Sequence, residues 1–188
     1  MSEVVNNKKS KTPIIMFIVF VLPVVLAYLA LTFDWFNKGA TNKGALITPP
    51  LDLSAVVAER KPLWRLLFIM PQDCGQGCEN ALYSLNQIWV ALGKESDRVE
   101  PLVLTHQKSE QIELTDMQRH PNIKVLKTDE QNVNNLFKDE SADGIFIVDT
   151  LGNVILKYPI KQQQEDAIQQ SRDILADLRK LLKLSRIG

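Results

Sequence analysis

Cysteine and histidine are scarce in this chain, at two residues each among 188. Any thiol chemistry must therefore rest on Cys74 and Cys78. Net charge is missing too. Twenty-two Lys and Arg balance 22 Asp and Glu, which argues against nucleic acid as a partner. Residues 13–33, PIIMFIVFVLPVVLAYLALTF, hold no charged side chain at all, and a run of that length can span a bilayer core. It reads as a membrane helix with Pro23 as a kink. The run exceeds the roughly 7–15 residues of a signal-peptide core and lacks a small-residue cleavage site, so an uncleaved anchor is favoured over a cleaved leader. With 45% hydrophobic residues, the rest suffices for one ordinary globular domain.

Lys8, Lys9 and Lys11 precede the span, against Asp34, Lys38 and Lys43 soon after it. This bias places residues 1–12 in the cytoplasm and the remainder on the outer side of a bacterial inner membrane or its organellar equivalent. Thiols can be oxidised there. Residues 34–61 read as a tether, broken by Gly39, Gly44 and the pair Pro49 and Pro50. Within them, residues 51–58 are apolar enough to pack on the domain as a short edge strand or a turn of helix. The globular domain is expected over residues 62–188.

The organising stretch of that domain is LWRLLFIM-PQDCGQGC-ENALYSLNQIWVAL. The unbroken apolar run over 63–70 predicts a strand buried on both faces, stopped by Pro71. Gln72 and Asp73 offer an N-cap, and the spacing of Cys78, Leu82, Leu85, Trp89 and Leu92 predicts a helix. Cys74 lies at the mouth of the helix and Cys78 in its opening turn, with Gly75 and Gly77 between them to let the backbone bend. The positive end of a helix dipole lowers a thiol pKa, and Cys74 is the better placed of the two. Cysteines four apart can also meet the roughly 4.4–6.8 Å Cα spacing of a disulfide, or turn both sulfurs toward one soft metal ion. Both outcomes stay open. Chance proximity or an inert staple is disfavoured, because a loop of about five residues gives a structural disulfide little entropic leverage.

Downstream, residues 98–105 (RVEPLVLT) predict a second strand with Pro101 near its start. His106 stands at its carboxyl end, the edge where open α/β sheets place their sites, although a solvated loop histidine is the plainer reading. His120, before Pro121, is a weaker candidate. Residues 122–127 predict a short strand and 129–137 a short helix. Residues 144–149 and 154–158 predict a hairpin about Thr150, Leu151, Gly152 and Asn153. Residues 162–184 predict an amphipathic helix with Ile168, Ser171, Leu175, Leu178 and Leu182 on one face and Arg179, Lys180 and Lys183 at its negative end. The order β-α-β, connection, α-β-β-α predicts an α/β thioredoxin-like fold, a central mixed sheet flanked by helices, behind a single N-terminal transmembrane helix.

The motif CGQGC after the first long strand and the hairpin IFIVDTLGNVIL resemble the Sco/SenC family of membrane-tethered proteins that assist copper delivery to cytochrome c oxidase. The tether TNKGALITPP and the run LYSLNQIWVALGKESDRVE are similar to membrane-bound, Sco-related proteins often encoded beside cytochrome oxidase genes in proteobacteria. The resemblance implies a periplasm-facing domain that assists assembly or maintenance of a respiratory oxidase through the Cys74/Cys78 dithiol. Its partners would be the inner membrane and oxidase subunits or other assembly factors, with no small-molecule substrate, and its activity at most that of a thiol–disulfide oxidoreductase. It also implies copper(I) on Cys74 and Cys78. The family's histidine, expected shortly before residue 144, is absent from residues 138–143 (KDESAD), as is the proline that thioredoxins place there. A third copper ligand would then be His106, a partner's residue, or none. Asp139 and Glu140 offer acids near the site, and a tethered scaffold with idle thiols is the alternative of a different class.

Overall fold

The computed structural model describes residues 11–33, 41–109, 119–138 and 141–185. Expectations resting on Lys8, Lys9, Asp34, Lys38, Gly39, Asp139 and Glu140 lie outside the described residues. The chain divides into two units, Met1–Thr41 and Asn42–Gly188. In the first, helix α1 spans Thr12–Thr32 and continues through Pro23. Among the described residues it is the one helix long and apolar enough to cross a membrane. Phe17 and Phe20 on it are 68% and 69% exposed, a pattern suited to hydrocarbon rather than to a protein core.

The second unit is organised on strand β2 (Trp64–Ile69), whose six residues are all buried. The other strands are β1 (Ala45–Asp52), β3 (Val99–Thr105), β4 (Lys124–Lys127), β5 (Ile145–Val148) and β6 (Asn153–Tyr158), in the sheet order β1-β6-β5-β2-β3-β4. β2, β3 and β4 run parallel, while β5, β6 and β1 add on antiparallel. The two-residue period of β2 splits its side chains between two cores. Trp64, Leu66, Phe68 and Met70 pack with Leu85 and Ile88 of helix α3 (Gln76–Leu92) and Leu178 and Leu182 of helix α5 (Gln164–Leu184). Leu67 and Ile69 face the opposite core, with Val57 of helix α2 (Ser54–Val57) and Val133 of helix α4 (Glu130–Leu136). This three-layer arrangement is the expected thioredoxin-like fold. The hairpin closes as expected: Asp149 Oδ1 accepts the amides of Leu151 and Asn153, and Gly152 adopts φ +96°, a conformation that favours glycine.

Three local expectations require correction. The buried face of α5 carries Ala167, Ile174, Leu178 and Leu182, whereas Ile168 is 37% exposed. The apolar stripe lies one residue over from its expected start, so that it faces α3. The N-cap of α3 is Gly75, not Gln72 or Asp73.

The third concerns the tether expected over 34–61: its residues from Asn42 on fall in the second unit, and 51–58 supply, as expected, the end of an edge strand and a turn of helix. Ala45–Asp52 forms the edge strand β1, paired with β6 at Ala45–Lys157 and Leu51–Val154 and irregular between Leu46 and Leu51. An edge strand accommodates Pro49 and Pro50 because half its amides need no partner. The entry to this strand is pinned by Asp177, a carboxylate with 0% exposure. Its Oδ2 accepts the amides of Lys43 at 2.6 Å and Gly44 at 3.0 Å and the hydroxyl of Tyr158 at 2.9 Å. Lys180 Nζ lies 3.7 Å from its Oδ1. Burial first, and Asp177 second, raise the Tyr158 pKa above its ordinary value. A Cβ on Gly44 would fall 2.5 Å from Tyr158 Cζ, so only glycine fits there.

On the opposite face Arg65, 1% exposed, reaches Glu100 and the carbonyls of Lys61 and Leu63, while Arg60 also pairs with Glu100. Burial lowers the Arg65 pKa. Burial alone would raise that of Glu100, but its bonds to Arg60 and Arg65 prevail and lower it.

Candidate functional site

At the carboxyl end of β2, Pro71 stops the strand and the chain turns into α3. Cys74 and Cys78 face one another across that turn and are joined by a disulfide, with Cα atoms 5.2 Å apart. The two halves differ in environment. Cys74 is partly exposed at the entry to α3 and rests against the core. Cys78 is 5% exposed, within the helix's first turn. Gly75 O accepts the amides of Cys78 and Glu79, at 2.9 and 3.1 Å. The helix dipole favours negative charge at this end, so a thiolate formed on reduction would be stabilised at the accessible sulfur, Cys74.

Of the two glycines expected to let the turn bend, neither has a positive φ. Gly75 has open space about it, but Gly77 is required for packing. A Cβ there would lie 2.7 Å from both Gln162 Nε2 and Ile160 Cγ2. The segment after β6 thus presses against the cysteine turn, and Asn80 Nδ2 fastens it by donating to Lys161 O and Gln162 O, both at 3.0 Å.

Beside the disulfide opens a cavity of about 590 Å³, whose lining includes Met70, Cys78, His106, Glu130, Asp143 and Ile160. His106 follows β3 as expected and shares this cavity with Cys78. Its ring is already engaged, since Nδ1 accepts the Lys108 amide at 3.3 Å. Ser109 bridges the two strand ends, accepting the His106 amide and donating to Met70 O, each at 2.9 Å. His120 is not among the cavity-lining residues; it sits in the turn before β4, where its carbonyl accepts the Ile123 amide.

Among the described residues no three His, Cys, Asp or Glu side chains come together as a metal-holding group. The sequence offered Cys74, Cys78 and His106 as a ligand set; in this disulfide-bonded form Cys78 and His106 line one cavity. The structure places a different donor next to the cysteines, Met70, whose Sδ lies 3.5 Å from Cys78 Sγ. This residue was legible only as the end of an apolar run. Its register with Trp64, Leu66 and Phe68, all facing α3, is the signal that would have found it.

The fold recurs in solved proteins. The solution structures of apo Sco1 from Thermus thermophilus match at 17% identity and TM-score 0.53, over 77% of this chain and 99% of that one. The copper-bound ScoI of Bradyrhizobium japonicum matches at 17% identity and TM-score 0.43, over 69% and 97%. The exposed lipoprotein thioredoxin Etrx1 of Streptococcus pneumoniae matches at 16% identity and TM-score 0.41, over 69% and 99%. No match was found among curated proteins. Residues 64–185, well over half of the 188, match one family model, and the chain thereby belongs to the family of transmembrane-like, thioredoxin-like C-terminal domains.

Proposed function

We infer that this protein is a membrane-tethered, periplasm-facing, Sco-like thiol–disulfide protein that assists assembly or maintenance of a respiratory cytochrome c oxidase. The observation that carries the reading is the asymmetric pair at the strand–helix turn, an accessible Cys74 bonded to a buried Cys78 beside an open cavity. In the reduced protein the Cys74 thiolate attacks a partner disulfide, forming a mixed disulfide and releasing one partner thiolate. Cys78 then attacks Cys74 Sγ, closing the internal disulfide and releasing the second. Two electrons pass from the dithiol to the partner. Helix α1 supports the assignment to the inner membrane, and the bias of Lys8, Lys9 and Lys11 supports the periplasmic side.

Copper(I) suits the same site by donor type, since thiolates and thioethers are soft ligands. Cys74 and Cys78 would hold it after reduction. Bound there, it would be cargo for delivery to the oxidase.

Replacing Cys74 and Cys78 together with Ser, in a strain lacking the native protein, tests the role. Oxidase activity in membranes is expected to fall to the level of the deletion. Full activity in the double variant, with a clear loss in the deletion, would instead identify a scaffold that does not use its thiols.

A further inference from the structure

The innermost contact of the site is between two sulfur atoms, Cys78 Sγ and Met70 Sδ, 3.5 Å apart and buried. Met70 is held on both sides. Its amide donates to Leu104 O and its carbonyl accepts the Ser109 hydroxyl, each at 2.9 Å, while Pro71 follows directly. Although only 1% exposed, Met70 lines the cavity together with Cys78. The cavity thus reaches both residues of the sulfur pair.

Donor chemistry separates the neighbours. Glu130 and Asp143 on the same cavity are hard oxygen donors that suit magnesium, calcium or manganese, whereas thiolate and thioether select copper(I). His106, the nitrogen donor, has Nδ1 committed to Lys108. Of the cavity's side chains, only Met70 presents a soft atom already in contact with a site cysteine.

We propose that Met70 is the third ligand of an all-sulfur copper(I) site formed with Cys74 and Cys78 after their disulfide is reduced. The proposal rests on the dithiol reading above. A dithiol reductant first supplies two electrons and two protons, breaking the Cys74–Cys78 bond and leaving two thiols while the reductant becomes a disulfide. Copper(I) then displaces both thiol protons and forms two bonds to thiolate and one to the neutral thioether, with no change in its oxidation state. Binding is therefore gated by redox state, because the oxidised protein offers the thioether alone.

The test uses reduced full-length protein in detergent, titrated with copper(I) against a competing chelator. The variants are Met70→Leu, close in volume and suited to a packed core, and His106→Ala. The wild type is expected to bind one ion per chain, and Met70→Leu at least about tenfold more weakly, the equivalent of about 1.4 kcal/mol. His106→Ala should match the wild type, and the disulfide form should bind none. X-ray absorption at the copper edge should count three sulfur neighbours in the wild type and two in Met70→Leu. Unchanged affinity and sulfur count in a folded Met70→Leu protein, or a loss confined to His106→Ala, would overturn the proposal. Thiol counting on the same preparation keeps the two readings apart. Two reducible thiols that bind no copper defeat the ligand assignment alone, whereas a disulfide that resists reduction defeats the dithiol reading itself.

Discussion

Cys78→Ser is expected to accumulate a covalent complex with its partner, seen on non-reducing gels of membranes and dissolved by dithiothreitol, while Cys74→Ser accumulates none. The asymmetry follows from exposure. Cys74 is partly exposed and sits at the positive end of α3, so in the proposed exchange it would supply the attacking thiolate. Cys78, 5% exposed and against Met70, is placed to resolve the mixed disulfide from within. Removing the resolving thiol leaves the first step intact and stalls the second. Exchange with a small disulfide should fall by roughly a hundredfold or more in Cys74→Ser, because no accessible nucleophile remains. Complexes trapped by Cys74→Ser in place of Cys78→Ser would reverse the two roles.

Asp177→Ala should lower the stability of the detergent-solubilised chain by about 3–5 kcal/mol, the cost of breaking a buried charged network. At roughly 2–4 °C per kcal/mol for a domain of this size, thermal unfolding should shift down by about 10 °C. The loss arises because the Tyr158 hydroxyl and the Gly44 amide would be left buried without their acceptor, and the part-buried Lys43 amide would lose its own. Tyr158→Phe removes one donor and keeps the carboxylate's two amide bonds, so about 1 kcal/mol is expected. The same network predicts alkaline lability. Tyr158 titrates above its ordinary 10.0 in the folded protein, so its contribution is full below pH 10 and is lost as pH rises toward the folded pKa. Tyr158→Phe should flatten that alkaline limb. A loss below about 1 kcal/mol in Asp177→Ala would mean that the entry to β1 is not held in this way.

The parts of the fold that were legible are those whose signal is local. The apolar run of β2, the helical spacing of Leu82 and Leu85 and the turn residues around Gly152 each declare an element within a few residues. β1 before Leu51 was hidden because its pairing lies on β6, more than a hundred residues away, and its prolines speak locally for a linker. The amphipathic face of α5 was shifted because Ala167 and Ile174, rather than Ile168, meet the core. At the site, the cysteine pair and the approach of His106 followed from motif and topology. The engagement of His106 Nδ1 and the proximity of Met70 did not, since both depend on loop hydrogen bonds and strand register that no sequence pattern states.

Whether Cys74 and Cys78 form a working redox couple is tested most directly by equilibrating the full-length protein with glutathione redox buffers. Thiols are then counted by alkylation and mass. A couple built on an accessible, helix-stabilised Cys74 should interconvert fully and reversibly as two electrons, with a midpoint between about −270 and −120 mV. A disulfide that stays closed throughout, with a midpoint below about −300 mV as structural disulfides have, would contradict this account.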